Sequence, residues 1–155
     1  MTRPRYWLMK SEPTAFSFES LVRSKNSTNH WDGVRNYQAR NYMREMRAGD
    51  QVLFYHSNCE QPAVVGTAEV VREAYPDHTQ FDPRDVHYDP KATLEKPIWD
   101  MVDLRGRRAL RAPVPLEVLR KTPGLKHMVL LRRGSRLSVQ PVSPREWDLI
   151  VRLGG

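Results

Sequence analysis

The residues whose types could carry chemistry fall into a few short strings. His56 and Cys59 stand three apart, with Asp77, His78 and His87 downstream, a set from which a metal site or an imidazole-activated thiol can be imagined. The spacing matches no metal-ligand framework, and Cys59 is the sole cysteine, so neither a disulfide nor a cysteine-based zinc site can form within the chain. Pro76-Asp77 followed by Asp89-Pro90-Lys91 imitates the paired carboxylates with which nucleases hold Mg²⁺. In those enzymes the second half lies on a strand, and Pro90 lacks the N–H that a central strand requires. No Gly-x-Ser-x-Gly, P-loop or Gly-x-Gly-x-x-Gly occurs, which leaves nucleophile-elbow hydrolases, NTPases and dinucleotide enzymes without a foothold. The expectation is a binding protein with no catalytic residue, metal or cofactor; an enzyme acting on modified nucleotides or nucleic acid through His56 and Asp77 is the lesser alternative.

A second set, aromatic and polar, gathers at the ends of expected elements: Ser11 after the first strand, Trp31 to Asn36 before a helix, Tyr55-His56-Ser57 ending another strand, and Trp99. A base lifted out of its stack needs a flat apolar wall for its face and a few donors and acceptors for its edge. Trp31, Tyr55 and Trp99 can supply walls, and Ser11, Asn36, His56 and Ser57 can supply edge contacts. The N–H groups opening the helix at Asn36 can take a phosphate. Taken singly, each aromatic is more often a core residue, and Trp7 and Trp147 are assigned to the core.

Charge points the same way. Across 155 residues, 25 Lys and Arg stand against 18 Asp and Glu, a net +7, which favours polyanionic partners and predicts binding that weakens with salt. Arg105, Arg107, Arg108 and Arg111 form one dense group and Arg132, Arg133 and Arg136 another; Arg40, Arg44 and Arg47 recur at helical spacing. Any one of them is more often merely solvated, but together they can form a basic track.

The elements that must position these groups read as follows. Tyr6 to Met9 is a buried strand ended by Pro13. Ser17 caps a short helix carrying Phe18, Leu21 and Val22, and 24–29 is a polar loop. Asn36 caps a second helix with Ala39, Tyr42, Met43 and Met46 inward and Gly49 as its terminator. Strands are expected at 51–55 and 64–71. Four prolines keep 75–97 irregular, a length of loop that is usually functional. Trp99, Met101 and Val102 restart an extended segment, Leu116 to Leu119 form a short helix, and 136–140 alternates as a strand. Ser143-Pro144-Arg145-Glu146 opens a terminal amphipathic helix. The hydrophobic share of 39% supports one folded α+β domain spanning 1–155, a small mixed barrel with flanking helices. No segment has the roughly 18 apolar residues of a membrane span and the first ten lack a signal peptide's apolar core. A monomer in a reducing compartment is expected, cytoplasmic if bacterial and nuclear if eukaryotic.

Several strings resemble the EVE domain family: Tyr6 to Pro13, Trp31 to Asn41, Phe54 to Asn58, Tyr75-Pro76-Asp77, Trp99 to Val102 and Arg136 to Pro141. The resemblance runs from about Tyr6 to Leu153 and implies a PUA-like fold related to YTH and ASCH domains. It implies a reader of modified bases, foremost modified cytosine in DNA, with an RNA-binding protein acting on tRNA, rRNA or another modified RNA as the alternative. Its pocket, carried over motif by motif, is Lys10, Ser11, Trp31, Asn36, Tyr55, His56, Ser57 and Trp99. Contacts to the nucleic-acid backbone fall to Arg35, Arg40, Arg44, Arg105, Arg107, Arg108, Arg136 and Ser138.

Overall fold

The computed structural model describes residues 4–155. Six strands, β1 (Tyr6–Ser11), β2 (Thr28–Trp31), β3 (Gln51–His56), β4 (Ala63–Pro76), β5 (Asp100–Pro115) and β6 (Val139–Val142), form one sheet in the order β2-β5-β4-β3-β1-β6. All neighbours are antiparallel except β1 and β3, whose parallel pairing sets Lys10 beside Tyr55 and Ser11 beside His56. Four short helices, α1 (Phe18–Arg23), α2 (Tyr37–Glu45), α3 (Leu116–Lys121) and α4 (Pro144–Leu153), cover it. Repeated register shifts between the long strands β4 and β5 act as bulges that bend a sheet. The expected barrel therefore takes the form of an open mixed sheet with β2 and β6 as its edges.

Both faces are packed, which is why the central strands read as unbroken apolar runs. Trp7, Met9, Val52, Phe54, Ala68, Val70, Val102 and Leu104 face α1 and α2 in one buried cluster. Their alternates Leu8, Leu53, Tyr55, Val64, Leu110 and Val114 face Leu119, Leu125, Met128 and Ile150 in a second. Burying one such aliphatic side chain contributes about 1.5–3 kcal/mol, so the alternation along β1 and β3 fixes their register firmly.

Local signals explain most helix ends. Ser17 accepts from the Ser20 N–H, Asn36 from the Ala39 N–H, and Ser143 with Glu146 forms a reciprocal capping box. Other expectations shift. The polar stretch after Ser24 runs into β2 at Thr28, an edge strand that buries only Trp31. The arginine group after Leu104 lies on β5, which continues to Pro115 with its arginines exposed. The last strand begins at Val139 rather than Arg136. Helix α2 ends at Glu45, so Arg47 falls outside it and the basic stripe is cut short. Gly49 is not its terminator: it adopts φ +97° in the turn into β3, where its N–H donates to the Val70 carbonyl. Trp147 is only partly buried, packed on Tyr6 with ring centroids 4.8 Å apart.

Candidate nucleic-acid interface

At the C-terminal ends of β1 and β2 lies a cleft of about 520 Å³, lined among others by Lys10, Ser11, Phe16, Trp31, Asp32, Gly33, Arg35, His87 and Ser138. Its floor comes from the run after β1. Ser11 Oγ donates to the Phe16 carbonyl at 2.7 Å, and the Ala15 and Phe16 N–H groups both donate to the Glu12 carbonyl. This tight turn sets Phe16 against Trp31, with ring centroids 6.1 Å apart and planes at 87°. Phe54 backs both rings from within the core.

The opposite wall is the loop Asp32 to Arg35, and a buried carboxylate holds it. Asp77 is fully buried and accepts from the Gly33 N–H at 2.8 Å, from Arg35 Nη1 at 3.1 Å, and from the Thr79 N–H and hydroxyl. Burial alone would raise the Asp77 pKa, but the hydrogen bonds from Thr79, Gly33 and Arg35 outweigh it and hold the carboxyl below its usual range. Gln80, also buried, donates to the Asp77 and Trp99 carbonyls and accepts from the Ile98 and Trp99 N–H groups. The irregular stretch between β4 and β5 is thus tied to the cleft loop by satisfied polar groups, the condition under which buried polar networks are rigid. Gly33 adopts φ +81°, and a Cβ there would meet the His87 imidazole at 2.7 Å. Only glycine lets the loop turn and the ring close against it.

Of the residues expected in a base pocket, Lys10, Ser11 and Trp31 line the cleft, joined by Arg35 and Ser138 from the expected backbone set. The others lie elsewhere. Asn36 is occupied as the cap of α2. Tyr55 is 3% exposed on the opposite face of the sheet, because Phe54 takes the cleft-side position. His56 Nε2 accepts from the Phe18 N–H at 3.1 Å and so holds the start of α1; burial lowers its pKa. Ser57 accompanies Tyr55 in a separate pocket. Trp99 is 5% exposed, its indole N–H donating to Asp89 at 2.7 Å and its face stacked under Tyr37 at 4.8 Å. The three expected walls therefore stand in three places, and Phe16 is the second ring of the cleft.

The arginines divide as well. Arg35 spends its guanidinium on Asp77, Thr79 and the His87 and Val34 carbonyls. Arg40 donates to the Ile98 carbonyl and to Asn41, and Arg44 pairs with Asp100. Arg107 pairs with Glu69. Arg105, Arg107 and Arg108 are exposed on β5 and Arg136 in the irregular stretch before β6, none of them lining the cleft. Of the residues in the metal and nuclease patterns, Asp77 accepts from Gly33, Arg35 and Thr79, and Asp89 from the Trp99 indole. Among the described residues no three His, Cys, Asp or Glu converge as a metal-binding group.

Cleft residues to which the sequence assigned no pocket role include Glu12, Phe16, Asp32, Gly33 and His87. Asp32-Gly33 is a turn signal directly after Trp31 and marks a loop edge; Phe16 and His87 reach the site only through tertiary packing. Asp32 is half-buried, its one ionic neighbour among the described residues being His30 Nε2 at 3.8 Å. The site therefore offers two perpendicular aromatic rings, a hydroxyl and a carboxylate acceptor around one opening.

Residues 5–153 match the family model described as the EVE domain. Thymocyte nuclear protein 1 of Danio rerio is 46% identical over 170 residues, covering 97% of this chain and 73% of that protein. A crystal structure of a Pseudomonas putida protein superposes with TM-score 0.93 at 47% identity, covering 97% of this chain and 99% of that one. The crystal structure of human THYN1 protein in complex with 5-methylcytosine-containing DNA superposes with TM-score 0.91 at 44% identity, covering 97% of each chain. The likeness extends the α+β arrangement to the PUA-like fold of those relatives. By family match, identity and fold together, the chain belongs to the EVE domain family.

Proposed function

We propose that this protein is a non-catalytic module that binds nucleic acid by accepting one modified base, foremost a 5-methylated cytosine of DNA, in the cleft between Phe16, Trp31 and Asp32. The observation that carries the proposal is the pairing of an apolar corner with a carboxylate acceptor in a cleft of about 520 Å³, a volume within the range of small-ligand sites. The exocyclic amine of cytosine is a donor that Asp and Glu accept in base recognition. A 5-methyl group adjoining that amine would meet the Phe16 and Trp31 edges, where apolar contact is favourable. The Ser11 hydroxyl, whose proton goes to the Phe16 carbonyl, remains as an acceptor at the edge of the ring. A base can reach such a cleft only when unpaired or turned out of the duplex. Human THYN1, which shares 44% identity over 97% of this chain, has been crystallised with 5-methylcytosine-containing DNA, and that supports DNA over RNA as the partner. The relatives' name, thymocyte nuclear protein, supports a nuclear setting for a eukaryotic chain. Among the described residues no helix is long and apolar enough to cross a membrane.

The test is a fluorescence titration with single-stranded and duplex oligonucleotides carrying cytosine or 5-methylcytosine, and with the matching RNA. Wild-type protein is expected to prefer methylated DNA. Asp32→Ala, a change in a half-exposed loop, should cost about 1–3 kcal/mol of that preference while leaving thermal unfolding unchanged. Equal affinity for all oligonucleotides, before and after the change, would sink the proposal, and a preference for RNA would move it to the RNA-binding alternative.

A further inference from the structure

On the opposite side of the β1 end from the cleft is a second depression of about 390 Å³, lined by Lys10, Tyr55, Ser57, Arg120, Arg132 and Arg133 among others, and by no acidic residue. Lys10 lines both hollows. Its register partner is Tyr55, and side chains alternate along a strand, so the Lys10 side chain shares the face of Leu8 and Tyr55. Arg120 comes from α3, Arg132 and Arg133 from the turn before β6, and Ser57 from the end of β3. Separate parts of the chain thus bring four cations to one pocket.

These cations differ from several other arginines of the chain. Arg5, Arg35, Arg44, Arg47 and Arg107 each pair with a carboxylate, whereas Lys10, Arg120, Arg132 and Arg133 pair with none among the described residues. The Tyr55 ring is 3% exposed, yet no hydrogen bond among the described residues ends on its hydroxyl. Burial first, with Cys59 adding and Arg120 opposing, pushes that hydroxyl up to about 12, so it stays protonated as a donor. Lys10 is half-buried, and burial lowers its pKa; a cation desolvated without a partner is costly unless a ligand completes it.

We infer that this pocket is a phosphate-binding site that holds a backbone phosphate of the strand whose base occupies the cleft, with Arg120, Arg132, Arg133 and Lys10 as the charge partners and Tyr55 and Ser57 as hydroxyl donors. The inference rests on the proposed base-reading function for the identity of the strand, but the recognition chemistry is that of a phosphate oxyanion. Guanidinium groups suit it because they present paired donors to two phosphate oxygens. Lys10 joins the two sites, since the backbone of Lys10 and Ser11 is the partition between them: the Ser57 N–H donates to the Ser11 carbonyl and the Lys10 N–H to that of Ser138. The strand would cross that partition, with the base on one side and its phosphate on the other.

The experiment compares wild-type protein with Arg132→Ala/Arg133→Ala, two side chains outside both core clusters, and with Tyr55→Phe, which keeps the buried ring. Affinities for methylated and unmethylated oligonucleotides are measured over a range of salt. The double variant is expected to weaken both by the same factor, about tenfold, and to lower the salt slope by about 0.7–0.9 for each phosphate it no longer neutralises. Tyr55→Phe should weaken both about threefold. The ratio of methylated to unmethylated binding stays unchanged throughout. A double variant with unaltered affinity and slope overturns the inference, as does one that alters the ratio instead. Titration with inorganic phosphate, followed by NMR, separates this from the base-reading proposal. Shifts at Tyr55 and Ser57 that vanish in the double variant support the site even if no oligonucleotide shows base preference.

Discussion

Around the loop that opens α2, every arginine ends on a protein acceptor: Arg35 on Asp77, Arg40 on the Ile98 carbonyl, Arg44 on Asp100. Around the pocket behind β1, Arg120, Arg132 and Arg133 end on none among the described residues. Both groups look alike in the sequence, as clustered basic residues. What separates them is the supply of acceptors, because a guanidinium whose donors are already engaged gains little from a phosphate, while an unengaged one gains a charge-assisted bond at no internal cost. The first group builds the wall of a site; the second is available to a ligand.

The comparison breaks most visibly at Asp77, on which the first group depends. Asp77→Ala leaves the Arg35 guanidinium, the Gly33 N–H and Thr79 without their shared acceptor. Removing one partner of a buried ion pair costs about 3–5 kcal/mol, and urea unfolding should lose about that much. The same measurement across pH carries a sign. The folded carboxyl is held low, so its contribution is complete above the unfolded value of about 3.9 and fades as pH falls below it. Wild type should therefore lose stability in acid more steeply than Asp77→Ala. A variant as stable as wild type would show that the polar hub does not hold the cleft wall.

How far the sequence could reveal this follows from the range of the forces involved. Helix caps at Ser17, Asn36 and Ser143 are local, and each is readable from a few residues. The cleft requires knowing which face of β3 each residue takes. The string Phe54-Tyr55-His56 announces aromatic chemistry, but strand alternation sends Phe54 toward Trp31 and Tyr55 to the other core. No local signal says which face is which. His56 reads as an edge contact because a histidine at a strand end is free to be one, and only the approach of α1 assigns its Nε2 to the Phe18 N–H. Asp77 has a motif but no visible role until the chain brings Gly33 and Arg35 to it across more than forty residues. The long loop, expected to be functional, acts on the cleft through His87 and the Gln80 and Asp89 anchors.

A second prediction concerns His56, which ties the end of β3 to the start of α1. Its Nε2 must be unprotonated to accept from the Phe18 N–H, and burial lowers its folded pKa. Stability from this interaction is complete above the unfolded value of about 6.5 and is lost as pH falls through the lower folded one. The urea midpoint of wild-type protein should fall between about pH 7 and pH 5. His56→Gln keeps an acceptor without a titrating ring, so its midpoint should fall less over the same window; parallel curves for the two proteins would exclude the hydrogen bond as the cause.

The smallest effect tests the division of arginines most directly. Arg44 is 46% exposed in its pair with Asp100, and exposed pairs contribute only about 0.2–1 kcal/mol. Arg44→Ala should therefore shift thermal unfolding barely, and, because its charge is already matched by a carboxylate, it should leave both the oligonucleotide affinity and the salt slope within error of wild type. Removing Arg132 and Arg133 should do the reverse, sparing stability and lowering the slope. If Arg44→Ala instead reduces the slope as much as one neutralised phosphate would, about 0.7–0.9, then Asp100 yields its partner when nucleic acid arrives. In that case pairing within the free protein is not what decides which cations meet the backbone.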